Sequence, residues 1–183
     1  MRGMGRVFQS ASTVAAVLNG NLIEKAAEAG LRSLFLGFET FSPDNLRSSN
    51  KLQNLSKDYV AAVERLHSLG IMINGSFVFG LDHDDKDVFR RTVDWGIKHS
   101  ITTATFHILT PYPGTRLFQQ MERDGRITSY DWSKYDTRTV VYKTLELTAE
   151  ELKQGYEWAY HNFYSWSNIF KASFGHDNIK QQL

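Results

Sequence analysis

Along this chain, helix-forming segments end in Gly or a short polar break. Each then gives way to an uninterrupted apolar run, closed by a cluster of polar, Gly or Pro residues. The clearest copies run from Ala26-Ala27-Glu28-Ala29-Gly30 into Ser33-Leu34-Phe35-Leu36-Gly37-Phe38-Glu39-Thr40, and from His67-Ser68-Leu69-Gly70 into residues 71–79. A third runs from residues 95–100 into residues 103–109 and on to Thr110-Pro111-Tyr112-Pro113-Gly114-Thr115. This alternation predicts serial βα units. In parallel α/β architectures ligands bind at the C-terminal ends of the strands. Those ends carry Glu39, Asp82 and residues 110–115.

Residues 6–14 read as a first strand with weak alternation, followed by turn chemistry at Asn19-Gly20-Asn21. Residues 22–29 read as a short helix, with Gly30 placed to end it in the left-handed conformation. Residues 34–38 are too apolar for a half-exposed strand and predict burial on both faces. Ser42-Pro43-Asp44 reads as a helix start, since Ser suits the N-cap and Pro the first turn. Ser56 is a second cap candidate. Beyond it, Tyr59, Val63 and Leu66 form an apolar stripe at helical spacing that Gly70 ends. The segment after His83-Asp84-Asp85-Lys86 predicts a helix burying Phe89, Val93 and Gly96. After Thr115 a helix carries Leu117, Phe118 and Met121 and stops at Gly125. Residues 127–147 have no clean period and read as an irregular crossing segment with one strand at residues 140–142. Thr148-Ala149-Glu150-Glu151 has the form of a capping box and opens an aromatic helix to about residue 165.

The resulting fold class is α/β: a partial (β/α) barrel of about four parallel strands with helices outside, plus a C-terminal helical appendage. The division is residues 1–126 for the barrel part, 127–170 for the crossing segment and aromatic helix, and 171–183 for a tail. A closed barrel needs eight units. Four make half a barrel, or part of an open one.

The chain has 183 residues, 42% hydrophobic and 22% charged, with a net charge of +1. That is an ordinary globular composition. Nothing in the charge points to nucleic acid. No apolar run approaches the roughly 20 residues of a membrane span, and no signal-peptide core is visible, so the expected location is cytoplasmic. There is no cysteine. This excludes disulfides, thiolate zinc sites, cysteine nucleophiles and an iron–sulfur cluster held by thiolates of these residues.

The ordered motifs resemble the C-terminal half of the catalytic domain of radical S-adenosylmethionine (SAM) proteins, of the class with a cobalamin-binding domain. The carrying residues are Phe35-Leu36-Gly37-Phe38-Glu39-Thr40, Asn50-Lys51, Gly75-Ser76-Phe77-Val78-Phe79-Gly80-Leu81-Asp82 and Leu109-Thr110-Pro111-Tyr112-Pro113-Gly114-Thr115. Gly125-Arg126, Asp131-Trp132, Tyr135-Asp136 and Thr148-Ala149-Glu150-Glu151-Leu152 resemble the segment that follows the barrel. The resemblance covers about residues 7–169 and implies the last four units of a six-unit partial barrel. It implies an intact parent that binds SAM, a [4Fe–4S] cluster and in some cases cobalamin, with methyl transfer or another radical reaction as its activity. The family's CxxxCxxC loop has no counterpart here. The expectation is a fragment, or a split or degenerate relative, that supplies part of a SAM pocket, binds SAM weakly and performs no radical chemistry alone.

The residues implied at that pocket are Glu39, Ser76, Phe77, Thr110, Pro111 and Tyr112. Glu39 could accept hydrogen bonds from a ribose diol or an amino group, or be a solvated loop acid. Ser76 and Asn74 could line a lumen; Phe77 and Phe79 could be core. Residues 110–115 could contact adenine or form only a rigid turn, with Thr115 capping the next helix. Asp82, His83, Asp84 and Asp85 read as a charged loop and helix start rather than a metal cluster. His107 reads as a hydrogen-bonded lumen residue, and Trp132, Trp158, Tyr160, Phe163, Tyr164 and Trp166 as core between appendage and barrel.

Two rivals stand beside this reading. One is a binding or assembly module whose exposed first strand pairs with an N-terminal barrel half or a second copy. The other is an unrelated half-barrel enzyme using Glu39 and Asp82 as acid and base. An unidentified small-molecule substrate is the expected ligand besides SAM.

Overall fold

The computed structural model describes residues 5–42, 45 and 56–174. Strands β1 (Phe8–Thr13), β2 (Leu31–Glu39), β3 (Met72–Phe79) and β4 (Thr103–Ile108) form one parallel sheet in sequence order. Helices α1 (Val14–Leu18) and α2 (Leu22–Glu28) join β1 to β2. Helix α3 (Ser56–Ser68) precedes β3, α4 (Val88–Lys98) precedes β4, and α5 (Arg116–Arg123) follows it. A short 3₁₀ turn (Trp132–Lys134), α6 (Ala149–Phe163) and α7 (Trp166–Phe174) complete the described chain. This is the expected α/β partial barrel of four parallel strands with helices. Among the described residues no helix is long and apolar enough to cross a membrane.

Local signals account for most of these elements. Thr13 caps α1 by accepting from the Ala16 amide at 3.3 Å. The α3 stripe buries Tyr59, Ala62, Val63 and Leu66, and α4 buries Phe89, Val93 and Gly96. Thr148 and Glu151 form the capping box of α6. Gly30, Gly70 and Gly125 take left-handed φ values after their helices. Ser42 accepts from the Asn45 amide at 3.4 Å, as a cap would. Pro43, Asp44, Asn50 and Lys51 lie outside the described residues.

The core is one-sided. Leu34, Leu36 and Phe38 of β2, Phe77 and Phe79 of β3, and Ala104, Phe106 and Ile108 of β4 all point at the helices. Their rings stack across the strands: Phe38 on Phe77 at 5.4 Å, Phe77 on Phe106 at 5.7 Å, and Phe79 on Phe106 at 5.6 Å. Burying one such ring is worth roughly 2–3 kcal/mol. Helices α4 and α6 close over this core because position 155 is Gly, where an added Cβ would overlap the Phe89 ring.

Three expectations are corrected. Residues 34–38 are not buried on both faces: Phe35, on the face away from the helices, is 37% exposed. The strand expected at residues 140–142 reduces to a single antiparallel bridge between Ile127 and Tyr142. That segment is held by scattered backbone and side-chain bonds to distant parts of the chain. The aromatic set is only in part a shared core: Phe163 is buried in it and Tyr160 packs against it, whereas Trp132, Trp158, Tyr164 and Trp166 are exposed. The aromatic helix stops at Phe163, and α7 follows as a separate element.

A candidate site on the uncovered sheet face

Side chains alternate across a strand, so the residues between the core positions share the opposite face. Gly37 of β2 aligns with Ser76 of β3, and Ser76 with Thr105 of β4. Asn74 aligns with Thr103, and Val78 with His107. The face away from the helices is therefore largely polar. Thr105 donates to the Asn74 side-chain oxygen at 3.3 Å.

Glu39 ends β2 in an unusual backbone state. Its φ is +65°, in the left-handed region. The Thr40 amide donates back to the Phe38 carbonyl at 2.8 Å, closing a three-residue turn around Glu39. The Tyr59 hydroxyl donates to the same carbonyl at 2.5 Å. A non-glycine residue held this way costs on the order of 1–2 kcal/mol. The sheet register slips here, with Gly37 opposite Ser76 but Glu39 opposite Phe77. The slip keeps Glu39 on the polar face, and its carboxylate folds back over Gly37. A Cβ at position 37 would come 3.0 Å from Glu39 Oε1. The Glu39 charge also bears on His107, two strands away.

The turn after β3 is fixed from beneath. Asp84 is buried and accepts from the Gly80 and Leu81 amides at 2.9 and 3.0 Å and from the Asn45 side-chain amide at 2.7 Å. Asn45 in turn accepts from the His83 amide at 3.0 Å. Burial pushes the Asp84 carboxyl up to about 6, against the pull of those donors. Tyr142 donates to the Gly80 carbonyl at 2.5 Å. Asp84 is thus a brace rather than a solvated loop acid. The sequence signal was its position four residues after a glycine that closes a strand. Asp85 pairs with Arg91 at 2.7 Å. Asp82 pairs with Arg126 at 2.6 Å, and Arg126 also donates to the Lys143 carbonyl at 2.8 Å. Among the described residues no group of three His, Cys, Asp or Glu could hold a metal ion.

The loop after β4 leaves at the same end of the sheet. Thr110 is buried and donates to the Ile108 carbonyl at 3.1 Å, so its hydroxyl is turned to its own backbone. Pro111 is buried and Tyr112 is half-exposed. Thr115 caps α5, accepting from the Phe118 amide at 3.2 Å. Of the residues expected at a pocket, Glu39 and Ser76 share the polar face. The Ser76 hydroxyl has no hydrogen-bond partner among the described residues. Phe77 lies in the ring stack, so its side chain faces the helices rather than the polar face.

Beside β4 a cleft of about 330 Å³ is lined by Thr105, Phe106, His107, Asp136, Thr137, Arg138, Tyr156 and Tyr160. Sequence reasoning singled out His107 and Tyr160 from this set, and named Asp136 only as part of a motif after the barrel. The rest come from the irregular segment and α6. The available signal was Asp136, whose Oδ1 accepts from the Arg138 and Thr139 amides at 2.8 Å each.

No protein-family model matches the chain. It is 36% identical over 152 residues to bacteriochlorophyllide d C-12(1)-methyltransferase of Chlorobaculum tepidum, an alignment covering 83% of this chain and 33% of that relative. It is 30% identical over 149 residues to the anaerobic magnesium-protoporphyrin IX monomethyl ester cyclase of Cereibacter sphaeroides, covering 81% of this chain and 24% of the cyclase. In structure it is similar to TsrM of Kitasatospora setae, a radical S-adenosylmethionine methyltransferase with cobalamin and a [4Fe–4S] cluster bound. The TM-score is 0.57 at 17% identity, over 63% of this chain and 23% of TsrM. In sequence the chain is similar to methyltransferases and a cyclase, and in fold to a radical SAM methyltransferase. Its motifs resemble the C-terminal half of such proteins, and the alignments are consistent with that placement. It spans about one third of the length of the curated relatives it matches first, 33% and 34%.

Proposed function

We propose that the chain forms one wall of a SAM pocket in a radical SAM enzyme, with methyl transfer or a related radical reaction on an unactivated carbon as the activity of the whole. The observation that carries this reading is Glu39. It is a carboxylate fixed in a left-handed turn at the end of a parallel strand, folded over Gly37 beside Ser76, whose hydroxyl has no partner among the described residues. Strained, over-determined backbone gathers at ligand sites. Glu39 would accept hydrogen bonds from the ribose or amino group. Ser76, the Phe77 backbone and the Thr110-Pro111-Tyr112 loop would flank the adenosyl group.

The residues here do not fit a cluster held by thiolates, because there is no cysteine. No step is assigned to iron, and cobalamin has no proposed ligand in this chain. Those groups would belong to a partner domain or subunit that adds strands to β1. The outer edge of β1 pairs with no strand among the described residues, and Gln9, Ser10 and Ala11 are exposed, which supports that arrangement or a second copy in the same place. Asp82 is tied to Arg126, which disfavours the acid–base half-barrel.

Titration calorimetry with SAM tests the reading. Weak binding is expected from the chain alone. Glu39→Ala should weaken it about 30-fold, the scale of a hydrogen bond to a charged group worth about 2 kcal/mol. No heat from the parent, or identical heat from parent and variant, removes the assignment.

A further inference from the structure

The cleft beside β4 has a chemistry of its own. Arg138 stands at its rim, exposed, and its guanidinium has no hydrogen-bond or ion-pair partner among the described residues. The backbone that carries it is fixed. Asp136 gathers the Arg138 and Thr139 amides at 2.8 Å each and accepts from the Thr139 hydroxyl at 3.4 Å. The one acid lining the cleft is therefore engaged by its own turn. Thr137 anchors that turn to the sheet, its carbonyl accepting from the Ile108 amide at 2.7 Å.

Hydrogen-bond direction fixes the state of His107. The Thr137 hydroxyl has one proton, and it lies 2.6 Å from the Asp136 carbonyl, to which it donates. Towards His107 Nδ1, at 3.3 Å, that oxygen can only accept. Nδ1 therefore carries the proton. Burial lowers the His107 pKa, Glu39 opposes this, and Arg138 adds to it, so the ring is neutral at pH 7. Its Nε2 is then a lone-pair acceptor. The remaining wall is aromatic. The rings of Tyr156 and Tyr160 lie 5.2 Å apart, and burial pushes the Tyr156 hydroxyl up to about 12, so it stays a neutral donor.

We propose that this cleft binds a ring-bearing carboxylic acid that also carries an N–H or O–H donor. The carboxylate pairs with Arg138, the donor reaches His107 Nε2, and the ring lies along Tyr156 and Tyr160. Planar guanidinium is suited to this, because it presents a fork of donors to both carboxylate oxygens. At about 330 Å³ the space sits at the small end of ligand pockets. It takes a substrate or the acid-bearing edge of a larger one. That the acid is the substrate of the enzyme rests on the reading above; the binding site itself does not. SAM also has a carboxylate, so the two sources must be separated.

The probe is 4-hydroxybenzoate, titrated into the chain labelled with ¹⁵N-histidine and followed by imidazole NMR. Binding should shift the His107 Nε2 resonance. Benzoate, lacking the donor, and 4-hydroxybenzamide, lacking the charge, should each bind at least about tenfold more weakly. Arg138→Met should lose about tenfold, with circular dichroism unchanged, and Arg138→Lys should restore part of it. SAM at saturation should leave the 4-hydroxybenzoate affinity unaltered. No shift at millimolar probe, equal affinity for acid and amide, or displacement by SAM overturns the proposal. The first two outcomes leave the Glu39 reading untouched, whereas displacement would place SAM in this cleft.

Discussion

The two edges of the sheet are treated in opposite ways. At β4, the amide and carbonyl of Ala104 meet the Tyr164 hydroxyl at 2.9 and 2.8 Å, and those of Phe106 meet the Tyr160 hydroxyl at 3.1 Å each. Ile108 donates to Thr137. Two phenols thus stand in for a neighbouring strand. The fit is geometric: residues four apart on a helix rise about 6 Å, and outward-facing residues two apart on a strand are spaced about 6.6 Å. At β1 nothing comparable covers the outer backbone groups among the described residues. Among the described residues the sheet is therefore capped at β4 and uncapped at β1, so that β1 is the edge at which a further strand would pair.

The largest effect expected from disturbing this contrast is at the ring beneath the capped edge. Phe106→Ala removes a fully buried side chain that touches Phe77, Phe79, Tyr160 and Phe163, and should cost about 4 kcal/mol in urea unfolding. A loss under 1 kcal/mol would mean that α6 does not hold β4.

Next comes a control away from both edges. Folding raises the Asp84 carboxyl from 3.8 to about 6. A raised acid favours the folded state fully below pH 4, and this contribution is lost as pH rises through 6. The shift of about two units corresponds to about 3 kcal/mol. Stability should therefore fall between pH 4 and pH 6, and Asp84→Asn should flatten that slope. An unchanged slope would assign the dependence elsewhere.

Removing both hydroxyls, Tyr160→Phe with Tyr164→Phe, exposes four backbone groups at β4 while keeping the rings. The expected loss is about 2 kcal/mol, with new self-association visible in multi-angle light scattering. A variant as stable and as monomeric as the parent would erase the contrast. The smallest effect is in hydrogen exchange. The Ala104 and Phe106 amides should exchange roughly 100-fold more slowly than outward-facing amides in β1.

Much of this architecture was legible from local pattern. Apolar runs marked β2, β3 and β4, glycines marked helix ends, and Thr148 with Glu151 marked the start of α6. What stayed hidden depends on partners distant in sequence. Tyr160 and Tyr164 read as core aromatics, because nothing local reveals that their hydroxyls bond to a strand 54 and 60 residues earlier. Residues 127–147 had no period to read, since Lys143 to Arg126, Thr137 to Ile108 and Tyr142 to Gly80 hold them in place. The two-sided burial expected for Phe35 failed because an apolar run does not say whether its second layer lies within the same stretch of chain. At the candidate site, Glu39 was legible as a strand-end carboxylate but its strained turn was not. Arg138 was invisible until the Asp136 turn and the tyrosine wall were seen together.

Gly155 links the outer surface to this contrast. It lets α6 rest against the Phe89 ring, and the same helix carries Tyr160 and ends at its C-cap, Tyr164, the two capping phenols. A single methyl at 155 would act as a wedge under a lever. By prising α6 outward it would lift the phenols from the strand, so that a change far from any ligand would unseal the edge and invite aggregation.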